Sequence, residues 1–418
     1  MSKSELDKNL KLKFYSEFYV KILTKNLYHR NWTEGNFDAS TPFLWLSPQT
    51  VRLMFTFSAP EKRLGEYQII NHFPNSYELT RKDLMARNVK RFLKQCKKSL
   101  EFNEYHNVDI IPSTYILPCD YNILCEKHKS HPEWTWIMKP CAKSRGNGIF
   151  LINKMSQIKR WSPNKNNNSY IKNGNGNVIE NYVITKYIDK PLLVGGKKFD
   201  LRIYVLVTSF KPLKVFVSNL GFARFSTVKY KSGNADMDNM FIHLTNVAIQ
   251  KNAEYYNKFH GGKWDLNKFK FYIENTKGLD IANGLFNCIY GIIIQSLLSV
   301  NKIVIQDKRC FELLGYDIIV DDELKPWLIE INSSPSLITT TEWDNEIKTK
   351  LISDVIDIIL AEKCFKWIPK KLKTLKLEKT SFKILYDKID NTKLTKRDET
   401  ETRTKRGFTK FQFDDVWK

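Results

Sequence analysis

The chain has 418 residues, 42% of them hydrophobic and 13% aromatic, with a formal net charge of +22. That content is globular and ample for a sizeable core, and the length suits two or three domains. The charge favours a polyanionic partner, whether nucleic acid, an anionic membrane or an acidic protein surface, and does not choose among them. Seven scattered cysteines (Cys96, Cys119, Cys125, Cys141, Cys288, Cys310, Cys364) without C-x-x-C spacing argue against a disulfide framework or a zinc site.

The N-terminal MSKSELDKNLKLKF is charged throughout and lacks the apolar region of a signal peptide. Residues up to about 115 mix helical and loop patterns. Within them ELTRKDLMARNVKRFLKQCKKSL has helical spacing, with Leu84, Val89, Phe92 and Leu93 near one stripe. Its basic residues either face an acidic partner or form an ordinary solvated face, and the pattern alone favours the second. From Trp134 the texture changes to short apolar runs, WTWIMKP and GIFLI, which predict two strands joined by a Gly-containing loop. WSPNKNNNSYIKNGNGN, from Trp161 to Asn177, is expected to be an exposed low-complexity loop.

YVITKYI, FDLRIYVLVTSF and LKVFVSNLGFARF follow as strands. CIYGIIIQSLLSV predicts a buried helix too short to span a bilayer. GYDIIVDDELKPWLIEIN predicts a hairpin with Asp321, Asp322 and Glu323 at its turn. The Lys/Thr-rich residues 364–418 have no strong period and are expected to form a basic tail, partly disordered or ordered on binding. The expected setting is soluble and intracellular.

Chemistry concentrates in four places. In KKFDLRIYVLV, Lys198, Asp200 and Arg202 alternate with Phe199, Leu201 and Ile203, so a strand puts the three charges on one face. The continuous apolar run after them argues for burial, and buried charges need partners or a ligand. In the predicted hairpin, Asp317, Glu330 and Asn332 can converge across the two strands. Two acids and an amide suit magnesium, which takes few protein carboxylates and leaves places for water and phosphate. In WIMKPCAKSRGNGIFLI, Lys139 precedes a glycine loop whose amides could approach phosphate oxygens, although a plain hairpin explains it equally well. FIHLTNVAIQKN and HGGKW place Thr245, Asn246 and Lys263 near apolar or glycine residues, and each is uninformative by itself.

Read in order, NHFPNSYELTRKDLMARN, WIMKPCAKSRGNGIFLI, KYIDKPLLVGGKKFDLRIYVLV, GFARFS, HLTN and CFELLGYDIIVDDELKPWLIEINSSPSL resemble the tubulin tyrosine ligase-like family of amino acid ligases. The resemblance runs from about Tyr67 to Glu362. It implies an α/β ATP-grasp fold, with ATP held between two sheet-bearing lobes. The expected layout is an N-terminal domain at 1–115, a central lobe at 116–195 with the loop 161–177, a C-terminal lobe at 196–363, and the tail at 364–418.

The resemblance also implies roles. Lys139, Arg145 and Gly146 would hold ATP phosphates, and Thr185, Lys186, Tyr187 and Ile188 would line the adenine. Lys198, Asp200, Thr245 and Asn246 would complete the nucleotide site. Arg202 and Arg224 would balance charge in catalysis, with Arg224 and Lys263 near the amino-acid substrate. Asp317, Glu330 and Asn332 would ligate Mg2+. The implied enzyme is an ATP-dependent carboxylate-amine ligase working through an acylphosphate.

TWIMKPC, PLLVGGKKFDLR and GFARFSTVKY look like the compact glutamylase branch. There the partners are free L-glutamate, the acidic C-terminal tails of tubulin in microtubules, and in some members accessory subunits. The expected location is cytoplasmic and cytoskeletal, at a cilium, axoneme or basal body, with no nucleic-acid partner. Glycine or tyrosine ligation on the same fold, and a non-catalytic microtubule-binding module, are the competing readings.

Overall fold

The computed structural model describes residues 12–56, 64–98, 109–141, 146–162, 181–231, 237–254, 256–257, 261–363, 368 and 377–388. Three sheets follow one another along the chain. The first is parallel, with β1 (Lys13–Ser16), β2 (Thr33–Glu34), β3 (Phe43–Trp45) and β4 (Ile69–Ile70) in the order β2-β1-β3-β4. The second is antiparallel, with β5 (Thr114–Leu117), β6 (Trp136–Pro140), β7 (Phe150–Ile152) and β8 (Tyr182–Lys186) in the order β5-β8-β6-β7. WTWIMKP and GIFLI thus pair as the sequence predicts.

The third sheet has eight strands: β9 (Leu193–Val194), β10 (Lys197–Phe210), β11 (Leu213–Ser218), β12 (Phe222–Phe225), β13 (Lys263–Asp265), β14 (Glu312–Val320), β15 (Pro326–Asn332) and β16 (Phe382–Asp387). The 14-residue β10 is its spine, pairing with β12 and β11 along one edge and with β14 along the other. Both faces of β10 are covered, which accounts for its near-continuous apolar sequence. Phe199, Leu201, Ile203, Val205 and Val207 pack in one core with the helices α1 (Lys82–Cys96) and α2 (Leu279–Asn301). Tyr204 and Leu206 pack in a second core with α3 (Glu342–Glu362) and the first sheet.

Several expectations need correction. The buried stripe of α1 is Met85, Ala86, Val89, Leu93 and Cys96, while Leu84 and Phe92 are only half-buried. The stripe shifts because α1 packs against α2 along that line. CIYGIIIQSLLSV lies within α2, whose 23 residues are long and apolar enough to cross a bilayer by length and composition. Its most apolar window is nevertheless 61% buried, as expected of a helix inside the larger core. Trp161 is no loop residue: it ends a 3-10 turn (Met155–Trp161), is 2% exposed and meets the Tyr182 ring edge-on at 5.0 Å. The rest of that expected loop, from 163, lies outside the described residues.

The tail also contributes to the fold. β16 adds to the edge of β11, with Phe382 buried at 4% and Asp354 Oδ2 accepting from the Ser381 amide at 2.8 Å. The apolar stretch FKILY is short and without a clean alternation, with Phe382 buried and Ile384 exposed, so it does not stand out among the lysines. Phe382→Ala is expected to cost about 3–5 kcal/mol, as for other buried aromatics cut to Ala. Urea unfolding measures this, and a loss below about 1 kcal/mol would show that β16 is dispensable.

Candidate active site

The second and third sheets face each other across a cleft. One wall is Ile137 and Lys139 of β6 with Thr185, Lys186, Tyr187 and Ile188 at the end of β8. The other is Lys198 and Asp200 of β10, Arg224 of β12, Asp317 of β14 and Glu330 of β15. Gly146, Thr245 and Asn246 close the rim. Gly146 has φ +83°, and a Cβ there would sit 2.6 Å from Ile249 Cδ1, so glycine is favoured at this position. Arg145, next to it, lies outside the described residues.

The charged wall follows from strand register. Asp200 pairs with Arg224, and Arg224 with Lys263; in the next row Arg202 pairs with Asp317, and Asp317 with Glu330. Directly opposed residues point to the same face, so two rows of charge lie side by side. Arg202 Nε donates to Asp317 Oδ1 at 2.5 Å and its Nη2 to Oδ2 at 3.0 Å. Arg224 Nη2 is 2.9 Å from the same Oδ2, while its Nε donates to Asp200 Oδ1 at 2.9 Å and its Nη2 to Asp200 Oδ2. Burial alone would raise the Asp317 carboxyl, but the two guanidinium groups outweigh it and hold it well below the usual carboxylate range.

Two lysines meet at this wall with little compensation, Lys198 within it on β10 and Lys139 across the cleft on β6. Burial pushes Lys139 down to about 8, partly offset by Glu330. Burial, and the repulsion of Lys139, push Lys198 down to about 7. Lys198 Nζ donates to the Tyr187 hydroxyl at 2.8 Å and to the His243 carbonyl oxygen at 3.0 Å. A cleft with two desolvated ammonium groups and the buried Arg224 in its lining suits anions.

Asn332 Nδ2 lies 3.4 Å from Glu330 Oε1 and 3.5 Å from Asp317 Oδ2, so the hairpin brings the three residues together. Among the described residues no cluster of three or more His, Cys, Asp or Glu side chains gathers as a ready cation site. The half-buried Glu330 and the Asn332 amide nevertheless suit a hard cation that also takes phosphate and water. Asp317 already shares both oxygens with guanidinium groups. Arg202, Asn332 and Lys263 stand behind the lining residues instead of among them, and Lys263 points to Asp344 on α3.

Lys82 and His243 are among the lining residues that sequence reasoning misses. Lys82, from the first turn of α1, reaches Glu330 Oε2 at 3.3 Å. His243 supports the wall through its Nδ1, 2.8 Å from the Tyr187 hydroxyl. Nothing in the local pattern separates Lys82 from the other basic residues of α1. His243 lies in HLTN, where only the Thr–Asn pair drew attention.

An antiparallel sheet closing over a larger antiparallel sheet, with basic residues from both facing a carboxylate hairpin, is the ATP-grasp-like arrangement. The chain belongs to the tubulin-tyrosine ligase family, whose pattern matches residues 59–366. It is 45% identical over 402 residues to the probable alpha-tubulin polyglutamylase Ttll1 of Tetrahymena thermophila, covering 92% of this chain and 95% of that protein. With the probable tubulin polyglutamylase TTLL9 of Bos taurus it shares 38% over 364 residues, 81% of this chain and 78% of the relative. With the tubulin polyglutamylase TTLL5 of Homo sapiens it shares 36% over 313 residues, 71% of this chain and 22% of that much longer protein.

Proposed function

We propose that the protein is an ATP-dependent tubulin glutamate ligase, joining glutamate to glutamate side chains in the C-terminal tails of tubulin. The observation that carries this reading is the buried Asp200–Arg224–Asp317–Arg202 lattice beside Glu330 and Asn332, with Lys198 on the same wall and Lys139 across the cleft. The relatives named polyglutamylases supply the choice of amino acid and acceptor.

A carboxylate is a poor electrophile, and ATP supplies the phosphoryl group that makes it a good one. Lys139 and Lys198, with the glycine loop at Gly146, would hold the phosphates. Thr185 to Ile188, with Thr245 and Asn246, would hold the base and ribose end. Glu330 and Asp317 of the lining, with Asn332 behind them, would hold Mg2+, which shields phosphate charge. Arg202 and Arg224 are fixed in orientation by Asp317 and Asp200, so they can stabilise developing negative charge without reorganising. Lys82 keeps Glu330 aimed into the cleft. Once phosphorylated to the acylphosphate, the acceptor's carboxyl would be attacked by the amine of the incoming amino acid with phosphate leaving, so no enzyme nucleophile is needed. Cys141, buried just past β6, is read as a packing residue and not as a nucleophile.

The net charge of +22 suits an acidic tail, and docking is expected to weaken as salt rises. The setting this implies is the cytoplasmic cytoskeleton, at cilia, axonemes or basal bodies, with accessory subunits as further partners. Incorporation of labelled glutamate, glycine and tyrosine into purified tubulin tests the reading. Glutamate alone is expected to enter, and exclusive glycine or tyrosine incorporation would overturn it.

The lysine environments give a pH signature. The ammonium form binds phosphate, and in the free protein it is lost as pH rises through about 7 at Lys198 and about 8 at Lys139. ATP-analogue affinity measured by calorimetry should therefore fall as pH is raised through these values. A flat profile would mean that neither lysine meets the phosphates.

A further inference from the structure

Glu312, His72 and Ser334 form a hydrogen-bonded array outside the cleft. Glu312 is 1% and His72 2% exposed. His72 Nδ1 lies 2.7 Å from Glu312 Oε1, and Glu312 Oε2 accepts from the Phe73 amide at 3.0 Å. A carboxylate accepts, which assigns Nδ1 as the donor and turns Nε2 away from Glu312. Nε2 lies 3.3 Å from the hydroxyl oxygen of Ser334, an exposed residue two positions past Asn332. A hydroxyl can answer either form of that nitrogen, donating to a bare one or accepting from N–H.

His72 stands on a fixed frame. Ile70, two residues before it, donates to the Arg309 carbonyl oxygen and accepts from the Phe311 amide, each at 2.9 Å. The side chain of Asn71 bonds both backbone groups of Leu46, at 2.8 and 3.0 Å. The first sheet is thereby locked to the chain just before Glu312. The open end of the β14–β15 hairpin is held less firmly by its own side chain. Asn332 Nδ2 is 3.4 Å from the Gly315 carbonyl oxygen, 3.5 Å from Asp317 Oδ2 and 3.4 Å from Glu330 Oε1. Such lengths are at the limit of a hydrogen bond, so the aim of the amide depends also on the turn that follows. Pro335 of that turn is buried against Gly315. A Cβ at Gly315 would sit 2.9 Å from Pro335 Cβ and 3.3 Å from Arg202 Cδ. The turn 333–335 therefore packs beside Arg202 as well as following Asn332, and the Ser334 hydroxyl ties it to His72.

Resting on the ligase reading and its cation site, we propose that His72 is a positioning residue for ligation. Oriented by Glu312, it fastens the turn 333–335 to the first sheet, which keeps Asn332 aimed at the cation site and Arg202 packed in place. Ser334 is not among the residues lining the cleft, so its hydroxyl serves as a tether and not as a nucleophile. The N-terminal sheet thus acts on the chemistry through the Glu312–His72–Ser334 link, without touching ATP or acceptor.

Calorimetry of a non-hydrolysable ATP analogue, with and without Mg2+, tests this in wild type, Ser334→Ala, Ser334→Thr and His72→Asn. Ser334→Ala removes only the hydroxyl of an exposed residue, and His72→Asn keeps a donor near Glu312 while withdrawing Nε2. Each is expected to shrink the gain in analogue affinity on adding Mg2+ by about two- to tenfold, the weight of one hydrogen bond. The metal-free affinity should not change. Ser334→Thr keeps the hydroxyl and should retain the gain. The double variant should lose no more than either single one, because both cut the same link. On tubulin, Ser334→Ala and His72→Asn should lower kcat and leave the glutamate KM within about twofold. Thermal melts without nucleotide check each fold, and the two Ser334 variants carry the test alone if His72→Asn does not melt cooperatively. A loss of Mg2+ gain below about twofold in Ser334→Ala overturns the proposal. So does an equal loss in Ser334→Thr, additive losses in the double variant, or a metal-free affinity that falls in step. Wild-type affinity indifferent to Mg2+ overturns the cation site beneath it, and wild type that incorporates no glutamate overturns the ligase reading, before any variant is compared.

Discussion

Asp317→Asn is expected to destabilise the protein by roughly 3–5 kcal/mol and to abolish ligation, because it breaks a buried ionic network by removing one partner. Asp317 is 2% exposed, and both of its oxygens accept from Arg202 and Arg224. An amide offers one acceptor and turns its NH2 toward a guanidinium. Arg224 would retain Asp200, and Arg202 would be left without its described carboxylate. Urea unfolding reads the loss, and a change below about 1 kcal/mol would mean that Asp317 does not hold the lattice together. The pH dependence has a fixed sign. The Asp317 carboxyl is depressed in the folded state, so its contribution is complete above the unfolded value of about 4 and is lost as pH falls from there toward the folded value. Wild type should weaken over that acid range, and Asp317→Asn should weaken less.

Glu330→Gln is expected to separate chemistry from stability. Glu330 is half-buried, and its ion pair with Lys82 at 3.3 Å is partly solvated, so stability should change by no more than about 1 kcal/mol. Glutamate incorporation into tubulin should nevertheless fall on the order of a hundredfold to a thousandfold, the cost of losing one preorganised electrostatic group at the reacting centre. Unchanged incorporation would place the cation end of the site elsewhere. Together the two variants distinguish a carboxylate that builds the site from one that acts in it.

The central strand and the hairpin were legible because strand geometry is periodic. Alternation in KKFDLRIYVLV placed Lys198, Asp200 and Arg202 on one face, and β10 presents them so. The spacing in GYDIIVDDELKPWLIEIN brought Asp317 opposite Glu330, and the register agrees. Which carboxylate each arginine takes was not legible, since that depends on the neighbouring strand. Lys82 was hidden for a related reason: on a basic amphipathic helix it looks solvated, and only the packing of α1 beside β15 carries it to Glu330. Asp344 and Lys348 stand four residues apart on α3, and nothing in that spacing shows that both meet Lys263 of a distant strand. The buried pair of His72 and Glu312, 2.7 Å apart, links the chain after β4 to the start of β14, and distant pairings of that kind leave no local trace.

The most direct test of the function is mass spectrometry of purified tubulin tails after incubation with the protein, ATP, Mg2+ and glutamate. The tails are expected to carry added glutamate residues on internal glutamate side chains, dependent on ATP. Tails left unmodified by a protein that binds ATP, or tails modified only when glycine or tyrosine replaces glutamate, would contradict it.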